Sequence, residues 1–464
     1  MARNRLTAFI ITIFWGAIQV FWLYSDRLIR DGDEEGHVGA AELFRDILRD
    51  QGFFRWLYQG WQGDFGEYPP LFAALFGAWW SVFSVPPEST IIRLFGSLFI
   101  FGTACMIGRI VWRLRSNWLL GFSAVLLLPL MNGVGRHFMP EVLLSFLTAG
   151  FAMTLVEETE SPSIKNKLLI GFMGGLGLLA KQSFLLFAPM ITLGFLLSRK
   201  LSFRSLTLPS LLALGISGPW YFQQFSAQNQ YIQSSIQAKT DIELLAHFAF
   251  YPSTLLLIGW GCLGTGIFLY LFFKNRDIKL PLWSLIWALG GLLLLILLPK
   301  KYPRLLLPWL VLLGIFLGTL GKNNTDRSNI FYVTLLFLQF IFFSFFPKPI
   351  TLPFQLQIDD GCPQAWLRSP STSDLQLERV SKIIKENSNK SLAILGDVTI
   401  DCALQSTHNW NAHLEPYLRR NALNPPLAFV EEKNSLWKEA QIQIEWKTTT
   451  ATDNPDDLLI EIRD

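Results

Sequence analysis

The chain has 464 residues, is 51% hydrophobic and only 16% charged, and has a mean hydropathy of +0.34 with 39 Phe and 17 Trp. A soluble domain carries about a quarter charged residues, so a soluble protein is excluded for most of the length. The net charge of +3 marks no nucleic-acid surface, because the charges are sorted by position rather than by excess.

The first apolar run, Leu6 to Tyr24, follows Arg3 and Arg5. It is long and lacks a small-residue cleavage pattern before Asp26, so it reads as a retained helix with its amino terminus inside. Residues 25–68 then form an external loop that opens with Asp31-Gly32-Asp33-Glu34-Glu35-Gly36-His37. Within 36–62, Ala41, Leu43, Phe44, Ile47 and Leu48 alternate with Glu42, Arg45, Asp46 and Arg49. Phe53, Phe54, Trp56, Leu57, Tyr58 and Trp61 follow. This pattern predicts helices lying in the membrane interface, with aromatic rings at headgroup level. The chain returns to the membrane through Glu67-Tyr68-Pro69-Pro70-Leu71, whose prolines suit a helix start.

Apolar segments follow at 69–85 and 91–112, then at roughly 140–156, 168–180, 183–198, 206–222, 250–273, 281–298, 303–320 and 330–346. Inside loops are marked by Arg109, Arg113 and Arg115, by Arg199, Lys200 and Arg204, by Lys274, Arg276 and Lys279, and by Lys322 and Arg327. Alternation puts Glu141, Lys181, the Lys300-Lys301 turn and the tail outside. It also demands an odd number of crossings between Pro69 and Arg109, where two apolar segments stand, so one of them is expected to be partial or an extra crossing to exist. About eleven to thirteen spans are expected. Cys105 and Cys262 fall in apolar segments, where a buried thiol is expected. Cys362 and Cys402 lie in the polar tail and suit a disulfide if it is exported.

From 351 to 464 charge returns, and strand-like runs at Leu392–Leu395, Leu427–Val430, Ile442–Trp446 and Leu458–Ile462 alternate with helical stretches such as 373–387. The reading is an all-α membrane domain over 1–346 and a small extracytoplasmic α/β domain over 351–464.

Charged groups at the rim of a membrane protein are expensive and therefore candidates for function. Asp33 and Glu34 are candidates for a general base acting on an acceptor, against a solvated acidic loop that caps a helix. In Arg136-His137-Phe138-Met139-Pro140-Glu141, Pro140 and Glu141 suit a helix start on their own. Functionally, Glu141 would orient acceptor or sugar, and Arg136 would meet a phosphate. Glu141 with His37 or His137 is a candidate divalent-metal site, although its spacing is too loose to define a metal motif. Lys181, Lys301 and Arg304 are cations on the outside, where positive charge is sparse. Snorkelling accounts for them structurally, but an anionic partner accounts for them better. Arg93 is a weaker candidate of the same kind. Glu67 and Tyr68 are candidates to face the same cavity.

These elements together resemble the polyprenyl-phosphate-dependent glycosyltransferases of the multi-spanning C-type fold, in particular the protein O-mannosyltransferases and the aminoarabinose transferases. The resemblance lies in Asp33-Glu34 (or, in the alternative register, Glu34-Glu35) with His37, Pro69-Pro70-Leu71, Arg136 with Pro140-Glu141, the glycine-rich Gly171 to Lys181, and Lys301, Arg304 and Pro308, in that order over residues 1–346. Tyr68 stands where the aminoarabinose branch has Lys, and the tail matches no acceptor-binding module. The resemblance implies inverting transfer from a polyprenyl-phosphate sugar. Asp33 would be the base, with Glu34 beside it; His37, Glu67, Tyr68 and Glu141 would lie near acceptor and sugar. Arg136, Lys181, Lys301 and Arg304 would hold the phosphate. The setting expected is a bacterial plasma membrane. The competing class is a transporter or flippase of lipid-linked sugars, which would show broken, polar midplane helices and paired repeats; a third is a scaffold that presents the tail domain.

Overall fold

The computed structural model describes residues 2–26, 32–62, 68–83, 91–227, 229–230, 233, 244–298, 302–346, 382–383, 386 and the segments 392–395, 427–430, 442–446 and 458–462. Five helices are long and apolar enough to cross a membrane, and seven if each of two bent pairs counts as one span. Three shorter apolar helices and the helices Ile164–Ala180 and Phe203–Gln223 complete an all-α polytopic bundle.

The early helices are α1 (Ala2–Ser25), α2 (Gly32–Gln51), α3 (Phe53–Gln62), α4 (Leu71–Phe83) and α5 (Ile91–Arg113). They resolve the parity question. Arg93, near the start of α5, bonds Asp26, just past the end of α1, so α5 begins on the face where α1 ends. The 13-residue α4 is about 20 Å long, short of the ~30 Å hydrocarbon layer. It packs along α2, its Phe72 ring 5.8 Å from the His37 ring and its Trp80 under the Arg45 guanidinium at 4.6 Å. The first of the two apolar segments is therefore the partial one, and α5 alone crosses.

Gly77 makes that packing possible. A Cβ there would stand 2.6 Å from the Ala41 carbonyl oxygen and 2.8 Å from the Arg45 amide nitrogen, backbone atoms that cannot rotate away. Gly77→Ala is expected to cost about 1–3 kcal/mol by forcing α2 off α4, read as a lowered Tm in detergent; an unchanged Tm would show that the pair yields freely. As expected, α2 is amphipathic, burying Val38, Ala41, Phe44 and Ile47, while α3 leaves Phe53, Phe54 and Tyr58 exposed.

The next elements are α6 (Trp118–Leu126), α7 (Pro129–Gly135), α8 (Pro140–Glu160), α9 (Ile164–Ala180), α10 (Phe184–Leu197) and α11 (Phe203–Gln223). Pro129 at the start of α7 breaks the α6–α7 span by 49°, because proline has no amide to continue the ladder. The Asn132 side-chain amide takes up the carbonyls of Leu126 and Leu128 at 2.9 and 2.7 Å. The later helices include Gly261–Lys274, Leu282–Leu297, a 3-10 turn at Pro303–Leu306 leading into Leu307–Leu310 and Leu312–Leu320, and Asp326–Phe345. Before Gly261 the chain turns by 97°, with Gly261 at φ +73, a conformation that favours glycine. Gln339 stitches this break, donating to the Trp260 carbonyl at 2.9 Å and accepting from the Leu263 amide at 2.8 Å.

At the end of the bundle where α5 and α8 finish, Arg109 and Arg113 pair with Glu157 and Glu160. The opposite end carries Asp26, Glu34, Arg93, His137, Glu141, Lys181 and Arg304. Cys105 and Cys262 are exposed rather than buried: each sits on the outward side of its helix, where the surrounding phase is apolar. Cys362 and Cys402 lie outside the described residues.

The four strand-like runs are strands: β1 (Leu392–Leu395), β2 (Leu427–Val430), β3 (Ile442–Trp446) and β4 (Leu458–Ile462). They form one sheet in the order β2-β1-β3-β4. β1 is parallel to both β2 and β3, and β3 is antiparallel to β4. Parallel neighbours need crossover connections, as in an α/β domain. Of the expected helical stretch 373–387, only 382, 383 and 386 are described, and they are helical.

Candidate active site

Two charged clusters meet on one face. In the first, the Arg93 guanidinium donates to Glu34 through Nε (2.8 Å) and Nη2 (3.2 Å), and to Asp26 through Nη1 (2.9 Å). His137 Nδ1 lies 3.4 Å from Glu34 Oε2. All four residues are buried. Burial alone would push the Glu34 carboxyl up, but Arg93, and then His137, hold it well below the ordinary carboxylate range. A carboxyl with a depressed folded pKa contributes stability above its unfolded pKa and loses it as pH falls through the folded one. Here the contribution is complete from roughly pH 5 upward, so Glu34 is an ionised brace and a weak base.

The second cluster centres on Glu141, fully buried in the first turn of α8. Lys181 Nζ lies 2.5 Å, and Arg304 Nε 3.1 Å, from the same oxygen, Oε1. Glu141 Oε2 is buried and makes no hydrogen bond among the described residues. His37 stands within electrostatic reach of Glu141. Its ring lies 5.3 Å from Tyr68, whose own ring is 5.9 Å from Lys181 Nζ. Arg304 also stacks over Tyr302 at 5.2 Å and points Nη1 at Met139 Sδ at 3.5 Å. The turn at Pro303, the first turn of α8, the extended residue ending α9, and α2 with its return loop thus place four sets of side chains together.

The glycines before Lys181 have a packing purpose: a Cβ at Gly171 would meet the Pro209 carbonyl at 2.7 Å, and one at Gly175 the Ile216 Cβ at 2.7 Å. They bring α9 against α11, and the Tyr221 hydroxyl bonds the Leu178 carbonyl at 3.1 Å near the end that presents Lys181.

The structure therefore joins His37, Tyr68, Glu141, Lys181 and Arg304, and joins Glu34 to Arg93 and His137. Arg136 is placed differently. It donates to Gln19 Oε1 (2.9 Å) and Ser344 Oγ (2.7 Å) and lies 4.8 Å from the Trp22 ring, clamping α1 to the Asp326–Phe345 helix. Asp33 lies in the first turn of α2, but its side chain is outside the described residues, as are Glu67 and Lys301. Sequence reasoning missed Asp26 and the chain in which the Gln19 amide donates to Asn132 Oδ1 and accepts from Arg136. Gln19 and Asn132, amides inside apolar runs, were the available signal for the latter. Among the described residues no group of three or more His, Cys, Asp or Glu is arranged to hold a metal ion.

No family model matches the chain, and no curated protein matches it in sequence. Among solved structures, it matches ArnT from Cupriavidus metallidurans in the apo state, with TM-score 0.55 and 14% identity over 92% of this chain and 87% of that one. ArnT from the same organism bound to undecaprenyl phosphate matches with the same score and identity, over 93% and 87%. The chain thus has the multi-spanning fold of ArnT along most of its length.

Proposed function

We propose that the chain is an integral-membrane glycosyltransferase that moves a sugar from a polyprenyl-phosphate donor to an acceptor, with inversion, on the extracytoplasmic face of a plasma membrane. The observation that carries this reading is the convergence of Lys181, Arg304, Glu141, His37 and Tyr68 beside the acidic start of α2. The undecaprenyl phosphate bound to the matching ArnT structure supports a lipid phosphate as the anion.

In this reading Asp33 removes the acceptor proton as the acceptor attacks the anomeric carbon. The bond from that carbon to the phosphate oxygen breaks, and polyprenyl phosphate leaves. Lys181 and Arg304, with Lys301, neutralise the phosphate. Glu141 aligns the two cations through Oε1 and offers Oε2 to an acceptor or sugar hydroxyl, with His37, Tyr68 and Glu67 around it. Glu34 holds α2, and hence Asp33, in place. Arg136 acts as a clamp that supports this face from behind, a change from the phosphate role expected of it. The acceptor is a protein, a lipid or a glycan.

The two broken spans, bent by 49° at Pro129 and by 97° before Gly261, favour a transporter of lipid-linked sugars, since broken midplane helices are common there. Their freed backbone groups are bonded to Asn132 and Gln339, however, which leaves them engaged with protein rather than with substrate.

Binding of a short-chain polyprenyl phosphate to the purified protein tests the phosphate site. Arg304→Gln and Lys181→Gln are each expected to weaken it about tenfold or more, since hydrogen bonds to charged groups contribute about 1.5–3 kcal/mol. Arg136→Gln is expected to lower Tm and leave affinity largely intact. Affinities that fall for Arg136→Gln and not for the other two would relocate the phosphate.

A further inference from the structure

At the end of the bundle opposite the charged clusters, the Gly261–Lys274 and Asp326–Phe345 helices enclose a groove of about 560 Å³. It runs from Cys262 and Leu335, deep in the span, to Tyr270, Arg327 and Ser328 at the helix ends, a length of about 12 Å at 1.5 Å per residue. Gly266 forms part of its wall, and a Cβ there would meet nothing within 4 Å. The lining is apolar along the span and changes character only at the mouth. There Arg327 is exposed and Lys274 Nζ lies 5.4 Å from the Tyr270 ring. Asn275 donates to the Leu320 carbonyl at 2.9 Å, tying the two loops together. Arg327 and Lys274 therefore form a cationic rim at the mouth, in two loops that also carry Arg276, Lys279 and Lys322 along with Asp277 and Asp326.

We propose that this groove binds an anionic glycerophospholipid from the adjoining leaflet, with an acyl chain along Gly266 and the phosphate at Arg327 and Lys274. Within the span the only phase that meets the groove is lipid. An apolar slot that opens onto a cationic rim complements a molecule with an apolar chain and an anionic head. A zwitterionic lipid would bring its ammonium against Arg327 and Lys274, whereas a basic pocket between helix ends favours anionic headgroups. The assignment is independent of the transferase reading, because it uses none of the same residues.

The test is native mass spectrometry of the delipidated full chain in detergent, offered phosphatidylglycerol and phosphatidylcholine in equal amounts. Phosphatidylglycerol is expected to be retained about fivefold better, the preference that roughly one surface cation confers. Gly266→Leu projects a side chain into the groove from a position where a Cβ meets nothing within 4 Å, and Arg327→Gln removes a rim charge. Each is expected to lower retention about fivefold while circular dichroism and gel filtration stay unchanged, and inorganic phosphate is expected not to displace the lipid. Equal retention of both lipids, retention unaltered in both variants, or displacement by inorganic phosphate would overturn the assignment.

Discussion

Replacing Asp33 by Asn is expected to lower turnover by about 10²–10⁴-fold, the contribution of a positioned general base, and to leave donor affinity near its wild-type value. The expectation follows from a division of labour between neighbours. Both oxygens of Glu34 face Arg93, one also lies beside His137, and the carboxyl is held well below the ordinary range, which makes it a poor proton acceptor at neutral pH. Asp33, one residue earlier on α2, carries the catalytic duty in the proposed mechanism. Single-turnover assays with a saturating donor separate the two: a kcat loss at constant donor Kd fits a base, whereas a matched loss of binding would make Asp33 a donor ligand. Glu34→Gln is expected to act through stability first, visible as a lowered Tm before any assay of turnover.

The second large effect is on the fold of the segment between α1 and α4. Arg93→Met removes the guanidinium that bonds both Asp26 and Glu34, so that two buried carboxylates lose their shared cation. Breaking a buried ion pair by deleting one partner costs about 3–5 kcal/mol, because the remaining charge is uncompensated. Tm in detergent is expected to fall sharply, with faster proteolysis in the loop between α1 and α4. Adding Glu34→Gln to Arg93→Met is expected to restore part of the loss, since a neutral amide tolerates burial better than a carboxylate that has lost its guanidinium. A single variant with wild-type stability and protection would show that the triad is solvated in the native protein.

Much of this architecture was legible in local pattern. Short apolar, strand-like runs bounded by polar segments located all four strands, because a four- or five-residue strand is recorded in consecutive residues. The amphipathic α2, the aromatic α3 and the proline start of α8 were readable for the same reason. The bonds that build the site were not. Arg93 and Glu34 are 59 residues apart, and Lys181 and Glu141 are 40 apart; nothing in either neighbourhood says which acid meets which base. The same holds for Arg136, whose partners Gln19 and Ser344 lie 117 and 208 residues away. Asp26 passed as a loop residue because its burial depends on Arg93. The partial character of α4 was legible only as a parity conflict, and the Asp26–Arg93 bond is what resolves it. The exposed Cys105 and Cys262 show the limit of hydropathy: in a bilayer an apolar segment does not say which side of its helix faces lipid.

The most direct test of the transferase reading follows free polyprenyl phosphate released by the purified wild-type chain. The chain would be offered a panel of short-chain polyprenyl-phosphate sugars together with lipid, peptide and glycan acceptors. The account predicts release from at least one donor, dependent on acceptor and lost in Asp33→Asn. Donor that binds without release under every acceptor, and crosses the bilayer of reconstituted vesicles intact, would contradict it and make the chain a carrier of lipid-linked sugars.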